Sequence, residues 1–213
     1  MCSHYQALRD SEKYRLNFHV RPPSDLGKED LWPGYIGSFI RRPRAIDSGD
    51  AAAPPGEALA GRFGLIPHWA TDEKIARHTF NCRSETAASK PSFRDAWRLG
   101  QRCIIPAEAI YEPDWRSGKA IATRISRVDG LPMGIAGLWS SWNSAQGMVF
   151  SYTMLTINAA AHPLMNQWHK PADEKRMVVI LQDDAYGDWL EAAPGTSLNF
   201  MRQFPAELLE WTQ

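Results

Sequence analysis

Six strand-length runs punctuate the middle of the chain and constrain its fold more than any other feature: residues 35–40, 62–66, 102–105, 133–139, 149–157 and 176–181. They contain β-branched or aromatic residues, and Phe150, Tyr152 and Met154 alternate along one of them, the period of a strand with one buried face. Helical signals are shorter and fall between or after these runs. Phe93 and Trp97 stand four apart within 91–99, Asn158 offers a cap for a helix over 158–168, and Pro205 offers a start for one over 206–211. Residues 43–61, rich in Ala, Pro, Gly and Asp, read as a surface loop. Because the strands are not regularly separated by helices, the pattern argues against a doubly wound sheet. It predicts an α+β fold with a mostly antiparallel sheet core and short peripheral helices, and 213 residues suit one domain over 1–213.

Composition narrows the class without naming an activity. With 44% hydrophobic and 23% charged residues a packed core is expected, and 24 basic against 24 acidic residues exclude the overall basic excess that would announce nucleic acid. Charge is uneven locally. Residues 41–102 hold 11 Lys/Arg against 7 Asp/Glu, while residues 183–213 hold one Arg against six acids, so the middle of the chain permits an anionic partner or a solvated surface. No apolar run approaches a membrane helix and the start of the chain lacks the apolar core of a signal peptide, so a cytoplasmic location is expected. Cys2, Cys82 and Cys103 form no CxxC pair and are expected to be thiols.

Cys2 carries the most chemical information. Removal of Met1 gives one residue both a free α-amine and a thiol on adjacent carbons, an arrangement that traps aldehydes. The amine, with an ordinary pKa of about 7.7–8.0, is partly neutral near pH 7 and forms an imine, after which the thiol closes a five-membered thiazolidine. An internal cysteine cannot do this. The competing reading is that a cysteine at position two is incidental.

Three longer segments bear on that choice: Phe80-Asn-Cys-Arg-Ser-Glu-Thr86, Cys103-Ile-Ile-Pro-Ala-Glu-Ala-Ile-Tyr-Glu112, and Thr156-Ile-Asn-Ala-Ala-Ala-His-Pro-Leu-Met-Asn-Gln-Trp-His169 leading to Arg176-Met177. With Met1-Cys2, Phe63-Gly-Leu-Ile-Pro-His-Trp-Ala70 and Ile135-Ala-Gly-Leu-Trp139, the chain resembles the SOS response-associated peptidase (SRAP) family, also called the abasic-site processing family. The resemblance spans most of the chain. It implies a barrel-like sheet, recognition of abasic sites in single-stranded DNA, self-removal of the initiator methionine, and a covalent link through Cys2. It also implies roles for particular residues. Asn81 would hydrogen-bond near the reacting amine, Glu112 would move protons at Cys2, and His169 would be a second acid/base. Trp69, Arg83 and Arg41 or Arg42 are the DNA-contact candidates, with base stacking for the tryptophan and phosphate contact for the arginines.

Alternatives stand beside each role. Asn81 can cap a turn, Trp69 can belong to the core, and Arg83 can pair with Glu85. Glu112 can face solvent, although Pro113 and Trp115 favour an enclosed setting that raises its pKa. The chain also departs from the family pattern. Arg176-Met177 follow His169 by seven and eight positions instead of two, so residues 170–175 read as an insertion, expected to loop outward. His169 is preferred to His162 because the preceding segment keeps its spacing; at the carboxyl end of a helix over 158–168 its protonated form would be favoured. Ser3-His4-Tyr5-Gln6 replaces the family's usual Gly-Arg-Phe start. Two further functions remain open: a cysteine hydrolase using Cys82 or Cys103 with His169, and a noncovalent single-strand binder. No nucleotide-binding glycine loop or metal-ligand spacing occurs, and no cofactor is expected.

Overall fold

The computed structural model describes residues 2–43 and 55–213. Along the chain come β1 (His4–Ala7), α1 (Ser11–Phe18), β2 (Asp30–Leu31), β3 (Ile36–Arg41), β4 (Glu57–Phe63), β5 (Asn81–Arg83) and α2 (Arg94–Arg98). There follow β6 (Arg102–Asp114), β7 (Ile121–Arg127), β8 (Met133–Ser144), β9 (Gly147–Asn158), β10 (Arg176–Val178), α3 (Tyr186–Glu191) and β11 (Leu209–Thr212).

Five of these strands close on themselves. β3 pairs antiparallel with β4, β4 runs parallel to β9, β9 pairs antiparallel with β8, β8 with β6, and β6 returns to β3 through Ile40 opposite Ile104. The fold is therefore a single α+β domain with short helices, as the sequence pattern predicts, and with the barrel-like sheet that the family resemblance implies. Aromatic residues fill the space that closure creates. Tyr152 stacks on Phe63 with centroids 5.6 Å apart, Tyr5 meets Phe63 edge-on at 5.2 Å, and the buried hydroxyls of Tyr5 and Tyr152 satisfy each other at 2.5 Å.

β6 is too long for the barrel alone, and its length positions the site. Residues 102–107 belong to the barrel against β8, while the later residues run past it, with β1 on one edge and β7 on the other. β1 places His4 opposite Tyr111, so the start of the chain is held beside Glu112. β5 lies parallel to β9, with Asn81 opposite Met154 and Arg83 opposite Thr156.

Two expected helices are corrected. Residues 158–168 do not form one: Asn158 still belongs to β9, opposite Arg176, and only Met165–Gln167 makes a short 3-10 turn. Pro163 lacks an N–H donor, and the His162 ring captures the amides of Leu164 and Met165, so the backbone of a regular helix is unavailable there. Over 206–211, Ala206–Leu208 form one 3-10 turn and β11 then pairs with β7, which satisfies its backbone groups better than a helix of six residues. The loop expected over 43–61 is shorter, because β4 begins at Glu57; residues 44–54 lie outside the described residues.

Gly137 on β8 lies where the barrel wall leaves no room for a side chain. A β-carbon there would sit 2.5 Å from the Thr153 carbonyl oxygen and 2.9 Å from the Cys103 sulfur, and would also meet the Ile105 side chain. Gly137→Ala should therefore destabilise the fold by about 1–3 kcal/mol through overpacking. The readout is the urea midpoint, and an unchanged midpoint would contradict this packing.

Candidate active site

Cys2 is buried at 1% exposure, and its thiol donates to the carbonyl oxygen of His4 at 3.3 Å. Burial is the main reason its thiol is pushed well above the ordinary range, and the nearby Glu112 carboxyl adds to the effect. The thiol is thus neutral at rest and must lose its proton during reaction. Asn81 Nδ2 donates to the carbonyl oxygen of Cys2 at 2.7 Å, which ties the start of the chain to β5. Its Oδ1 is buried and has no hydrogen-bond partner among the described residues. The amide therefore holds Cys2 instead of capping the following turn.

Glu112 lies on the extension of β6 and is 1% exposed, which excludes the solvent-facing alternative. Burial pushes its carboxyl up to about 7. His169 Nε2 stands 3.2 Å from Glu112 Oε2. Burial pulls the imidazole down to about 4, while a hydrogen bond with the Arg176 backbone acts in the opposite direction. Near neutral pH the pair is consequently an acid still holding much of its proton beside an unprotonated base. This reverses the expectation that a helix end favours protonated His169: no such helix exists, and burial decides the ionisation.

His169 owes its place to backbone bonds. Its N–H donates to the Pro113 carbonyl oxygen at 2.9 Å, and it adopts a left-handed φ of 66°, uncommon outside glycine. Residues 170–174 are exposed, in line with an outward loop. His162 serves the fold. Its Nε2 donates to the Phe204 carbonyl oxygen at 2.7 Å, and its Nδ1 accepts from the amides of Leu164 and Met165 at 3.2 and 2.9 Å.

The DNA-contact candidates separate by exposure. Trp69 is 46% exposed and therefore lies outside the core. Arg83 is exposed and pairs with Glu174 at 2.7 Å, not with Glu85, which is bound by Arg176. Arg42 is exposed and meets Glu191 at 3.1 Å. Arg41 is withdrawn as a DNA contact. It is 4% exposed, paired with Glu57 at 2.8 Å and laid over the Trp139 ring, so its charge is already satisfied within the barrel wall. Cys82 and Cys103 are buried and burial pushes both thiols up, as it does at Cys2; what sets Cys2 apart is the Glu112 carboxyl acting on its thiol.

Sequence reasoning missed Lys175, whose ammonium donates to the carbonyl oxygens of Trp168, His169 and Lys170. It also missed the stack in which His4 lies between the rings of Trp32 and Tyr111, at 4.2 and 4.0 Å. The only signals were the departures from the family pattern at residues 170–175 and at position 4. Among the described residues no helix is long and apolar enough to cross a membrane.

Known proteins are similar to this chain in architecture and in sequence. The X-ray structure of a protein from Bordetella bronchiseptica has a TM-score of 0.87 at 49% identity, covering 99% of this chain and 98% of that one. Another, from Bacteroides thetaiotaomicron, has a TM-score of 0.79 at 19% identity over 99% and 90% of the two chains, and speaks for the fold alone. Abasic site processing protein YoqW of Bacillus subtilis is 40% identical over 130 residues, 61% of this chain and 55% of that protein. Abasic site processing protein HMCES of Xenopus tropicalis is 29% identical over 205 residues, 85% and 56% of the two. The chain thus spans about half the length of these curated relatives. The SOS response associated peptidase profile matches residues 1–213, and the chain belongs to the SRAP family.

Proposed function

We propose that this protein processes abasic sites in single-stranded DNA by linking Cys2 covalently to the aldehyde of the ring-opened sugar, once Met1 has been removed. The supporting observation is the joint burial of the Cys2 thiol, the Glu112 carboxyl and the His169 imidazole, the latter two 3.2 Å apart. Removal of Met1 is either the work of a host aminopeptidase or attack of the Cys2 thiol on the Met1 carbonyl: the Met1–Cys2 amide bond breaks with Glu112 passing a proton to the departing Cys2 nitrogen, and water then hydrolyses the resulting thioester, releasing methionine and restoring the thiol. The new Cys2 amine adds to the aldehyde carbon, and loss of water gives the imine. The thiol sulfur then adds to the imine carbon and its proton ends on nitrogen, closing the thiazolidine.

The two buried groups suit these proton transfers. Glu112, held partly protonated near neutrality, supplies the proton that lets water leave, and unprotonated His169 receives one. Asn81, already bonded to the Cys2 carbonyl oxygen, holds the aminothiol in place. Trp69 offers a face to an unstacked base and Arg83 a guanidinium to a phosphate. Single-stranded DNA carrying abasic sites is the proposed partner.

Three outcomes test this reading. Processed protein mixed with abasic single-stranded DNA should give an adduct that survives denaturing electrophoresis, and Cys2→Ala should lose it. An equally stable adduct from Cys2→Ala would refute thiazolidine chemistry. His169→Ala should slow adduct formation or reversal by roughly 10²- to 10⁴-fold in a single-turnover assay, whereas His162→Ala should cost stability, about 1–3 kcal/mol, and leave the chemical rate near wild type.

The third concerns Glu112, for which the cost of ionisation fixes the sign. Below about pH 4.5 the carboxyl is protonated whether the chain is folded or unfolded. As pH rises through about 7 the unfolded chain releases this proton first, so the stability linked to Glu112 is progressively lost, by on the order of 3 kcal/mol in all. Neutral His169 contributes the opposite slope, with stability lost as pH falls from about 6.5 through about 4. Glu112→Gln should therefore gain stability over wild type between pH 5 and pH 8 while adduct formation slows. Parallel denaturation curves for the two proteins across that range would contradict the buried, raised carboxyl.

A further inference from the structure

Residues 170–175 separate His169 from Arg176, and the proposed chemistry makes no direct use of them. Two adjacent side chains in this segment nevertheless reach the site. The Lys175 ammonium donates to the carbonyl oxygens of Trp168, His169 and Lys170 at 2.8, 3.2 and 2.9 Å, so the backbone of the segment is folded around a cation. Glu174 stands between two guanidinium groups, with Oε2 2.7 Å from Arg83 and Oε1 2.8 Å from Arg176.

The two arginines differ in what they would lose without Glu174. Arg176 is buried, bonded to both oxygens of Glu85 at 3.1 and 2.9 Å, and donates to the Thr156 carbonyl oxygen at 2.7 Å. It keeps these partners when Glu174 leaves. Arg83 is half exposed, and Glu174 is its ion-pair partner. Strand pairing of Arg83 with Thr156 fixes the backbone from which its guanidinium reaches out. A carboxylate held on that guanidinium occupies the position that an oxyanion of a bound strand would take.

We infer that Glu174 sets the selectivity of the strand-binding site: it is an internal stand-in for a backbone phosphate on Arg83, displaced when single-stranded DNA binds. The inference rests on the reading of Arg83 as a strand contact. With side-chain exposures of 49% and 39%, the Arg83–Glu174 pair is of the weak, solvent-screened kind. The Lys175 anchor allows Glu174 to leave by side-chain rotation, with the backbone that carries His169 held in place. A ligand that brings a phosphate to Arg83 replaces the lost pair, and one that does not is disfavoured by it.

The test measures affinity of the full chain for a fluorescent, undamaged oligothymidine at about 50 and 200 mM salt. Glu174→Gln should bind about two- to five-fold more tightly at the lower salt, Glu174→Asp should gain less, and Arg83→Ala should bind more weakly. In an Arg83→Ala background the gain from Glu174→Gln should vanish. The same gain in both backgrounds would overturn the inference, because Glu174 would then act only through general charge. No gain from either Glu174 variant, with Arg83→Ala still weakened, would overturn it and leave the Arg83 reading standing. Unchanged affinity of Arg83→Ala would remove both. Circular dichroism melts confirm that the compared variants are folded.

Discussion

The site depends on keeping a carboxyl group out of water 3.2 Å from an imidazole. Isolated in an apolar interior, either charged form would be costly, and burial shifts both groups toward their neutral forms, the acid up to about 7 and the base down to about 4. Much of the architecture serves this enclosure. β6 must run beyond the barrel to carry Glu112, β1 and β7 must cover its two edges, and the turn after β9 must bring His169 over Pro113. The same enclosure keeps the Cys2 thiol protonated. Reactivity at this site therefore depends on proton transfer between neighbours, since no standing thiolate is available.

Barrel and chemistry meet in one strand. The first half of β6 is locked between β3 and β8 in the barrel wall, and the second half presents Glu112. A position set by a ladder that begins in the core is more rigid than one set by a loop. Cys2 shares this rigidity through its Asn81 bond to β5, itself paired to β9 of the barrel. Each group on the site thus traces back to the barrel by a short series of hydrogen bonds.

Much of this was legible in the sequence, for reasons that differ by residue. The runs that became β3, β6, β8 and β9 carry alternation or dense apolar character, which reports on burial directly. The enclosed setting of Glu112 was readable from the bulky Pro113 and Trp115 beside it. The short strands β1, β5, β7 and β11 escaped because their sequences are polar or brief, and it is pairing with longer strands that makes them strands. Arg41 misled for a related reason. An arginine in a basic stretch reads as surface, yet this one belongs to a barrel strand, where Glu57 opposite it and the Trp139 ring make burial tolerable. The helix expected over 158–168 failed at Pro163 and at a histidine whose ring competes for the amides a helix would need.

The six residues between His169 and Arg176 do not disturb the site, because His169 is positioned by backbone bonds and not by its distance in sequence from β10. One end of the segment is fixed by the bond from the His169 amide to Pro113, and the other by β10, where Arg176 pairs with Asn158. Between those fixed ends, chain length changes only the exposed path, and lengthening a surface loop costs little entropy. The Lys175 ammonium gathers three carbonyl groups of that path, including the one at His169. A left-handed non-glycine residue is tolerated at position 169 because these contacts and the Glu112 side chain determine its conformation together. Spacing in sequence is therefore a weak guide to this histidine, while the carbonyl of Pro113, fixed by β6, is a strong one.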